Sequence, residues 1–237
     1  MRGKSQWHAS FHKFRKSVET SNRIGNNSVA RDFDQTWAGR LHYGAVGRFL
    51  SELPKRQQER LRILDVGCGP GHYLKVFYAL GFESIGIDVS DEMTSIAKQA
   101  LGTAAAGSEA KGAAPLPQIE AASLFDLEFD ANSFDGIWYN AVVVHVPRRV
   151  LPSNLARFHQ ILKEDGVLYL SALLGSGSVV RREGRVFFYY GEDELKRFFD
   201  EAGFKIAAQW SDAIELSSRG GQRKKAWMYF LLQKRDR

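Results

Sequence analysis

Leu61-Arg62-Ile63-Leu64-Asp65-Val66-Gly67-Cys68-Gly69-Pro70-Gly71 reads as a buried strand with an acid near its end, then three glycines in five residues. The start of a helix follows at 72–80. Glycines there let the backbone turn tightly and approach a ligand closely, because no Cβ intervenes. The helix that follows points unpaired N–H groups back at that ligand. A strand, a glycine loop and a helix in this order form a nucleotide cradle. The bland alternative is a turn that merely joins strand to helix. Spacing narrows the choice of nucleotide. A dinucleotide site has G-x-G-x-x-G opening directly into the helix and an acid about 20 residues on, whereas the glycines here run G-x-G-x-G after Asp-Val. No Lys-Ser/Thr follows them, which excludes a P-loop.

A second unit follows. Ser84-Ile85-Gly86-Ile87-Asp88 is a strand ending in an acid, and Ser90-Asp91-Glu92-Met93 begins a capped helix. An acid at that strand end lies where a ribose sits and can accept from both hydroxyls. Downstream, Ser133-Phe134-Asp135-Gly136-Ile137-Trp138-Tyr139-Asn140 reads as a fourth strand, and Lys163-Glu164-Asp165-Gly166-Val167-Leu168-Tyr169-Leu170 leads into a fifth. Together these segments resemble the class I S-adenosylmethionine-dependent methyltransferases, whose motifs run close to hDhGCGxG and hGhDxS. The likeness covers roughly residues 30–235. From Phe134 through His145-Val146-Pro147 to Gly184-Arg185-Val186-Phe187-Phe188-Tyr189-Tyr190 it is nearest the small-molecule branch, of the methyltransferase domain 11/25 type. The resemblance implies an α/β fold, a Rossmann-like three-layer sandwich. Its seven-stranded, mostly parallel sheet has the order 3-2-1-4-5-7-6 with strand seven antiparallel.

The same resemblance assigns a site. Asp65, Gly67, Cys68, Gly69 and Gly71 lie under the methionyl and ribose parts of S-adenosylmethionine, Asp88 holds the ribose hydroxyls, and Val89 packs beside the adenine. The family carries an acid after its third strand for the adenine amino group, where this chain has Ala122-Ser123. Ser123 accepts more weakly than a carboxylate, Leu124 offers its N–H, and Asp126 is assigned local capping. Asn140 ends the fourth strand, where the methyl emerges, and Tyr139 lies next to the acceptor. Tyr139-Asn140-Ala141-Val142 is not the N-P-P-Y of enzymes that methylate adenine, cytosine or glutamine nitrogen. Methyl transfer needs alignment above all, and a base only where the acceptor must first lose a proton. His145 and Tyr189 are the catalytic candidates, with His42 weaker. Arg148, Phe187 and Tyr190 are candidates for the acceptor pocket, and Phe33 and Trp37 for closing over the cofactor. The plain alternatives are packing for His145, core burial of alternate rings in 187–190, and a solvated helix start for Arg148. No metal is expected.

The 237 residues fit one α/β domain. Cys68 is the single cysteine, so an intrachain disulfide is excluded, and a reducing, cytoplasmic setting fits. No apolar run approaches ~20 residues, so no membrane span is expected. Residues 1–30 carry six Lys/Arg against one acid and residues 219–237 carry seven against one. Basic ends of this kind suit solvated tails or contact with nucleic acid. Residues 1–29 are expected to be a mobile segment or lid, residues 30–237 the domain, and residues 102–117 (rich in Ala and Gly) a flexible insertion. Helical spacing runs through Phe33, Trp37, Leu41, Val46, Phe49 and Leu50. Residues 174–185 read as a long loop. The expected activity is methylation of an O, N, S or C atom of a small, aromatic acceptor, leaving S-adenosylhomocysteine. Methylation of RNA through the basic ends, a cofactor-binding partner without catalysis, and a Rossmann oxidoreductase are the alternatives. The glycine spacing disfavours the last.

Overall fold

The computed structural model describes residues 2–37, 41–57, 59–106, 114–175, 180–182, 185–218 and 221–235. Short runs rich in Ile, Val, Leu and aromatics become strands because such side chains suit a pleated, buried surface. They are β1 (Arg62–Val66), β2 (Glu83–Asp88), β3 (Gln118–Ala121), β4 (Phe134–Tyr139), β5 (Leu162–Leu173), β6 (Val180–Arg182), β7 (Arg185–Phe187), β8 (Phe204–Ser218) and β9 (Gly221–Lys234). Seven of them form one sheet in the order β3-β2-β1-β4-β5-β9-β8, and β6 pairs with β7 in a separate ribbon. With the ribbon set aside, the order is the expected 3-2-1-4-5-7-6. The last sheet strand, β9, runs antiparallel to both neighbours, and the other pairings are parallel.

Strand alternation sorts the core into two faces. Leu64, Val66, Ile137, Tyr139, Leu168 and Leu170 pack against α5 (Leu151–Ile161) and α6 (Glu192–Glu201). Ile63, Trp138, Val167, Tyr169, Tyr229 and Leu231 pack against α2 (Tyr43–Glu52) and α3 (His72–Ala79). On that second face the Trp138 indole stacks on Tyr169 at 3.9 Å between centroids. Gly136 makes room beside it: a Cβ there would lie 2.6 Å from Phe49 Cζ, so its absence lets α2 settle onto β4. Helix α4 (Asp91–Ala106) packs beside β2 and β3. Among the described residues, no helix is long and apolar enough to cross a membrane.

Several boundaries differ from those expected. The N-terminal segment is one helix, α1 (Arg2–Trp37), which runs through the expected division between residues 29 and 30. Its buried positions are Val18, Asn22, Gly25 and Ala30, the first three on one face at helical spacing. A hydrophobic-periodicity reading passes over Asn and Gly, so the segment expected as a mobile stretch or a lid gave no sign of a helix docked by those residues. The helical pattern from Phe33 to Leu50 is shared between α1 and α2. Of the insertion at 102–117, residues 102–106 continue α4, Ala114 is buried, and 107–113 lie outside the described residues. The loop expected at 174–185 contains the β6–β7 ribbon.

At the N-terminal end of β4, Asp135 is wholly buried and accepts from Arg56 Nε at 2.9 Å, the Arg62 N–H at 2.9 Å and Lys163 Nζ at 3.0 Å. Burial alone would raise the carboxyl's pKa, but these three donors together hold it below the ordinary value. Asp135→Ala should therefore cost about 3–5 kcal/mol, the usual loss when one member of a buried pair is removed. Because the folded pKa is depressed, the stabilisation is present above the unfolded value and is lost as pH falls through the folded one. Urea unfolding of both proteins checks this: the gap between them should be full at neutral pH and shrink in acid. A gap unchanged at about pH 2 would contradict the assignment.

Candidate functional site

The turn after β1 holds Gly67, Gly69 and Gly71 at φ of 71°, 52° and 81°. A Cβ on Gly67 would lie 2.3 Å from Val142 Cγ2, and one on Gly71 2.9 Å from Ala97 Cβ. At Gly69 nothing stands within 4 Å of that position. The loop is thus packed on two sides and open on a third. The N–H groups of Gly67 and Cys68 donate to Ile87 O at 2.7 and 2.9 Å. Asp88, at the end of β2, accepts from the Gly69 N–H on Oδ2 at 3.0 Å and from the Ser90 N–H on Oδ1 at 2.9 Å. Ser90 in turn caps α4, its Oγ accepting the Met93 N–H at 3.1 Å.

Two acids lie beneath this turn. Asp65 is 1% exposed, and its Oδ2 is buried without a hydrogen-bond partner. Burial, reinforced by the nearby charge of Asp88, pushes the Asp65 carboxyl well above its usual range. Burial also raises Asp88, against the opposing pull of the Ser90, Gly69 and Val89 N–H groups. Such a pair favours a cationic or hydrogen-donating ligand, which would relieve the repulsion and satisfy the bare oxygen. Cys68 is a buried packing residue against Leu74, and burial raises its thiol above the ordinary value. Val89 is partly buried beside Asp88.

Ser123 Oγ accepts the Phe125 N–H at 3.1 Å, and the Leu124 carbonyl accepts from Asn154 Nδ2 at 2.8 Å. The Leu124 and Ser123 side chains are partly buried. Asp126, assigned local capping, instead pairs with Arg15 of α1 at 3.2 Å. At the end of β4, Asn140 is held on both sides of its amide. Its Nδ2 donates to Tyr73 Oη at 3.3 Å, and its Oδ1 accepts from Ser171 Oγ at 2.9 Å and Tyr169 Oη at 3.3 Å. Ala141 follows in the left-handed region at φ 58°, its N–H donating to Ser171 Oγ at 2.6 Å. An alanine there costs of order 1 kcal/mol, and the cost is borne where the strand end meets the loop through Val142.

Several acceptor-pocket candidates lie in the core instead. Tyr139 is wholly buried with its ring against Phe158, on the face covered by α5. Tyr190 is also wholly buried, its hydroxyl donating to Val146 O at 2.5 Å. Arg148 is engaged structurally. Its Nε donates to Glu194 at 2.9 Å, another nitrogen donates to Tyr189 O, and its guanidinium lies over the Tyr190 ring. The alternation of β4 turns Tyr139 to the α5 face, the bond to Val146 O draws Tyr190 inward, and a partner on α6, invisible in local sequence, engages Arg148.

His145 closes a single 3-10 turn at Val143–His145. Its ring stands 4.8 Å from that of Phe187, and its Nδ1 lies 3.0 Å from Val186 O. A carbonyl can only accept, so Nδ1 carries the proton and Nε2 the lone pair. Burial lowers this imidazole to about 4; the Val186 bond opposes that shift and the charge of Arg185 adds to it. The ring is neutral at physiological pH. Tyr189 is buried with Val144 and Leu173, two residues beyond the partly buried Phe187. His42 reaches Tyr229 Oη at 3.4 Å with its ring, and its backbone N–H donates to Tyr73 Oη at 3.3 Å, the hydroxyl that also receives Asn140.

Helix α1 ties these parts together. Asp34 lies 3.3 Å from His72 at the start of α3, Asn27 Oδ1 accepts from Ser90 Oγ at 2.6 Å, and Asn22 reaches His145 and Val186. The helix crosses the chain segments that leave the C-terminal ends of β1, β2 and β4. A cavity of about 550 Å³ lies along its seam with α4, lined by Asn27, Ser28, Ala30, Arg31, Asp32 and Glu92. None of the loop residues lines it. Phe33 is partly buried, and the Trp37 side chain lies outside the described residues. Asn22, Tyr73 and Ser171 had no signal in sequence, since each works through a partner remote in the chain. Among the described residues no group of three or more His, Cys, Asp or Glu is arranged to hold a metal ion.

A family model described as a methyltransferase domain matches residues 37–209. No curated protein matches the chain. Among solved structures, a 1,6-didemethyltoxoflavin N1-methyltransferase from Burkholderia thailandensis, with bound 1,6-didemethyltoxoflavin and S-adenosylhomocysteine, has a TM-score of 0.63 at 17% identity over 94% of this chain and 90% of that one. An S-adenosylmethionine-dependent methyltransferase from Leishmania major has a TM-score of 0.65 at 17% identity, over 91% and 81%. One from Methanosarcina mazei has a TM-score of 0.60 at 19% identity, over 80% and 96%.

Asp65 strains the fold as it stands. A carboxyl whose folded pKa is raised favours folding most below its unfolded pKa, and it subtracts stability as pH rises toward the folded value. Asp65→Asn should therefore raise stability at neutral pH, because it removes the charge that burial penalises while keeping the shape of the side chain. Thermal unfolding at about pH 4 and pH 8 reads this out. The variant's advantage should be larger at the higher pH, and an equal or lower melting temperature there would refute it.

Proposed function

Because the chain belongs to the methyltransferase-domain family, we propose that it transfers a methyl group from S-adenosylmethionine to an O, N, S or C atom of a small aromatic molecule. The observation that carries this reading is the buried, partnerless Oδ2 of Asp65 beneath a loop open at Gly69. The residues fit the cofactor. Asp65 is suited to its amine, and each Asp88 oxygen, already holding one N–H, keeps a lone pair for a ribose hydroxyl. Val89 offers apolar surface to the adenine. Ser123 Oγ accepts from Phe125, so its hydroxyl proton and the Leu124 N–H are the groups suited to the adenine edge. Asn140, locked by Tyr73 and Ser171, fixes the strand end beside which the methyl would lie.

The cofactor supplies a methyl on a sulfonium, transferred by in-line displacement. The chain's own task is to align the acceptor, and the packing of Phe187 and Tyr189 near the turn at His145 supports that role for them. His145 Nε2 takes a proton where the acceptor must lose one. The likeness to the 1,6-didemethyltoxoflavin N1-methyltransferase, whose structure holds 1,6-didemethyltoxoflavin, supports a small-molecule acceptor.

Isothermal calorimetry with S-adenosylmethionine tests the cofactor half. The parent protein should bind, and Asp88→Ala and Asp65→Asn should each weaken binding tenfold or more, since each removes a charge-assisted contact. Unchanged affinity in Asp88→Ala would sink the ribose assignment. A screen of small acceptors with methyl-labelled cofactor tests the other half. On an acceptor found this way, His145→Ala should lower turnover by about 10²–10⁴-fold while leaving cofactor affinity unaltered. Full turnover by that variant would remove His145 from proton transfer.

A further inference from the structure

Three hydrogen bonds around His145 close into a ring. Asn22 Nδ2 donates to His145 O at 3.2 Å, His145 Nδ1 donates to Val186 O at 3.0 Å, and the Val186 N–H donates to Asn22 Oδ1 at 2.7 Å. Each residue gives one bond and takes one. The amide of Asn22 is the one member that comes from α1, 123 residues before His145, and it is buried. A buried carboxamide in a helix is costly unless both its ends are satisfied. Here two backbone groups satisfy it, one from the turn after β4 and one from β7.

We propose that Asn22 is a positioning residue for His145: it locks β7 against the turn, so that the Val186 carbonyl holds the imidazole in its Nδ1–H tautomer and leaves Nε2 as the lone-pair nitrogen. Without the amide, the Val186 N–H and the His145 carbonyl lose their common partner, and the carbonyl that fixes the ring is free to shift. Docking of α1 and preparation of the histidine are then one event. Val18, one helical turn before Asn22, lies in the main apolar core, so α1 keeps an independent anchor when the amide is removed. The inference rests on the proposed acceptor chemistry for its catalytic consequence, but not for the tautomer itself.

The tautomer can be read directly. The full chain, labelled with ¹⁵N-histidine, gives ring signals whose His145 set is identified by its loss in His145→Gln. At neutral pH the parent protein should show His145 protonated at Nδ1 and bare at Nε2. Asn22→Ala should convert this to a mixture of tautomers. Its affinity for S-adenosylhomocysteine should stay within about twofold of the parent's, and turnover of an identified acceptor should fall tenfold or more in kcat with little change in KM for the methyl donor. Asn22→Asp, which keeps an acceptor oxygen for the Val186 N–H but loses the donor to His145 O, should fall between the two. An Nε2–H ring in the parent, or an unaltered tautomer in Asn22→Ala, overturns the proposal. Full turnover by His145→Gln beside a parent locked at Nδ1–H overturns instead the reading of His145 as the base and leaves the positioning role standing.

Discussion

The carboxylate of Asp88 holds the N–H groups of Gly69 and Ser90, and through them it ties three elements together. The loop after β1, the end of β2 and the start of α4 meet at this one side chain. The turn could not take the same path with a bulkier residue at position 67, where Val142 presses in from the segment that follows β4. Central strands that are buried on both faces therefore end in a turn whose backbone donors are already committed or open in a set direction. The cost is a pair of acids under the loop, of which Asp65 keeps a buried oxygen unmatched. Local instability of this kind is expected where a ligand is to supply the missing charge.

The two ends of the sheet divide the work. At the N-terminal end of β4, Asp135 is surrounded by cations and a backbone donor, and every contact there favours the folded chain. At the C-terminal ends, an alanine is held at positive φ, a carboxyl lacks a partner, and a histidine is kept neutral. Helix α1 joins this strained end from outside the sheet. Its polar stripe makes individual bonds to the segments that follow β1, β2 and β4, while Val18 anchors it in the core.

Much of this was legible in the sequence because it is local. The glycine turn, the acids closing β1 and β2, and the alternation in β4 and β5 each declare themselves within a dozen residues, and the order of the sheet follows from the family they resemble. Asp65 and Asp88 are therefore found together at the loop, as expected. Tyr139 was assigned by its nearness to the end of β4, yet a strand turns alternate side chains to opposite faces and Tyr139 turns into the core, while Tyr190 is drawn inward by its bond to Val146 O. Arg148 was expected to meet an acceptor because nothing near it in sequence reveals Glu194.

The amino-acid sequence by itself determined the α/β class and the place of the glycine loop, since periodicity, β-branched runs and glycines act over short spans of chain, and the strand order came with the family its motifs resemble. Tertiary structure alone decided which side chains reach that loop. It placed Asn22 of a polar helix between His145 and Val186, and Tyr73 and Ser171 on either side of Asn140. A hydrogen bond between residues more than a hundred positions apart leaves no periodic trace, and a buried asparagine is spelled like an exposed one. The glycine loop was legible because its geometry is written in its own residues, whereas its cover became visible only when the chain had folded over it.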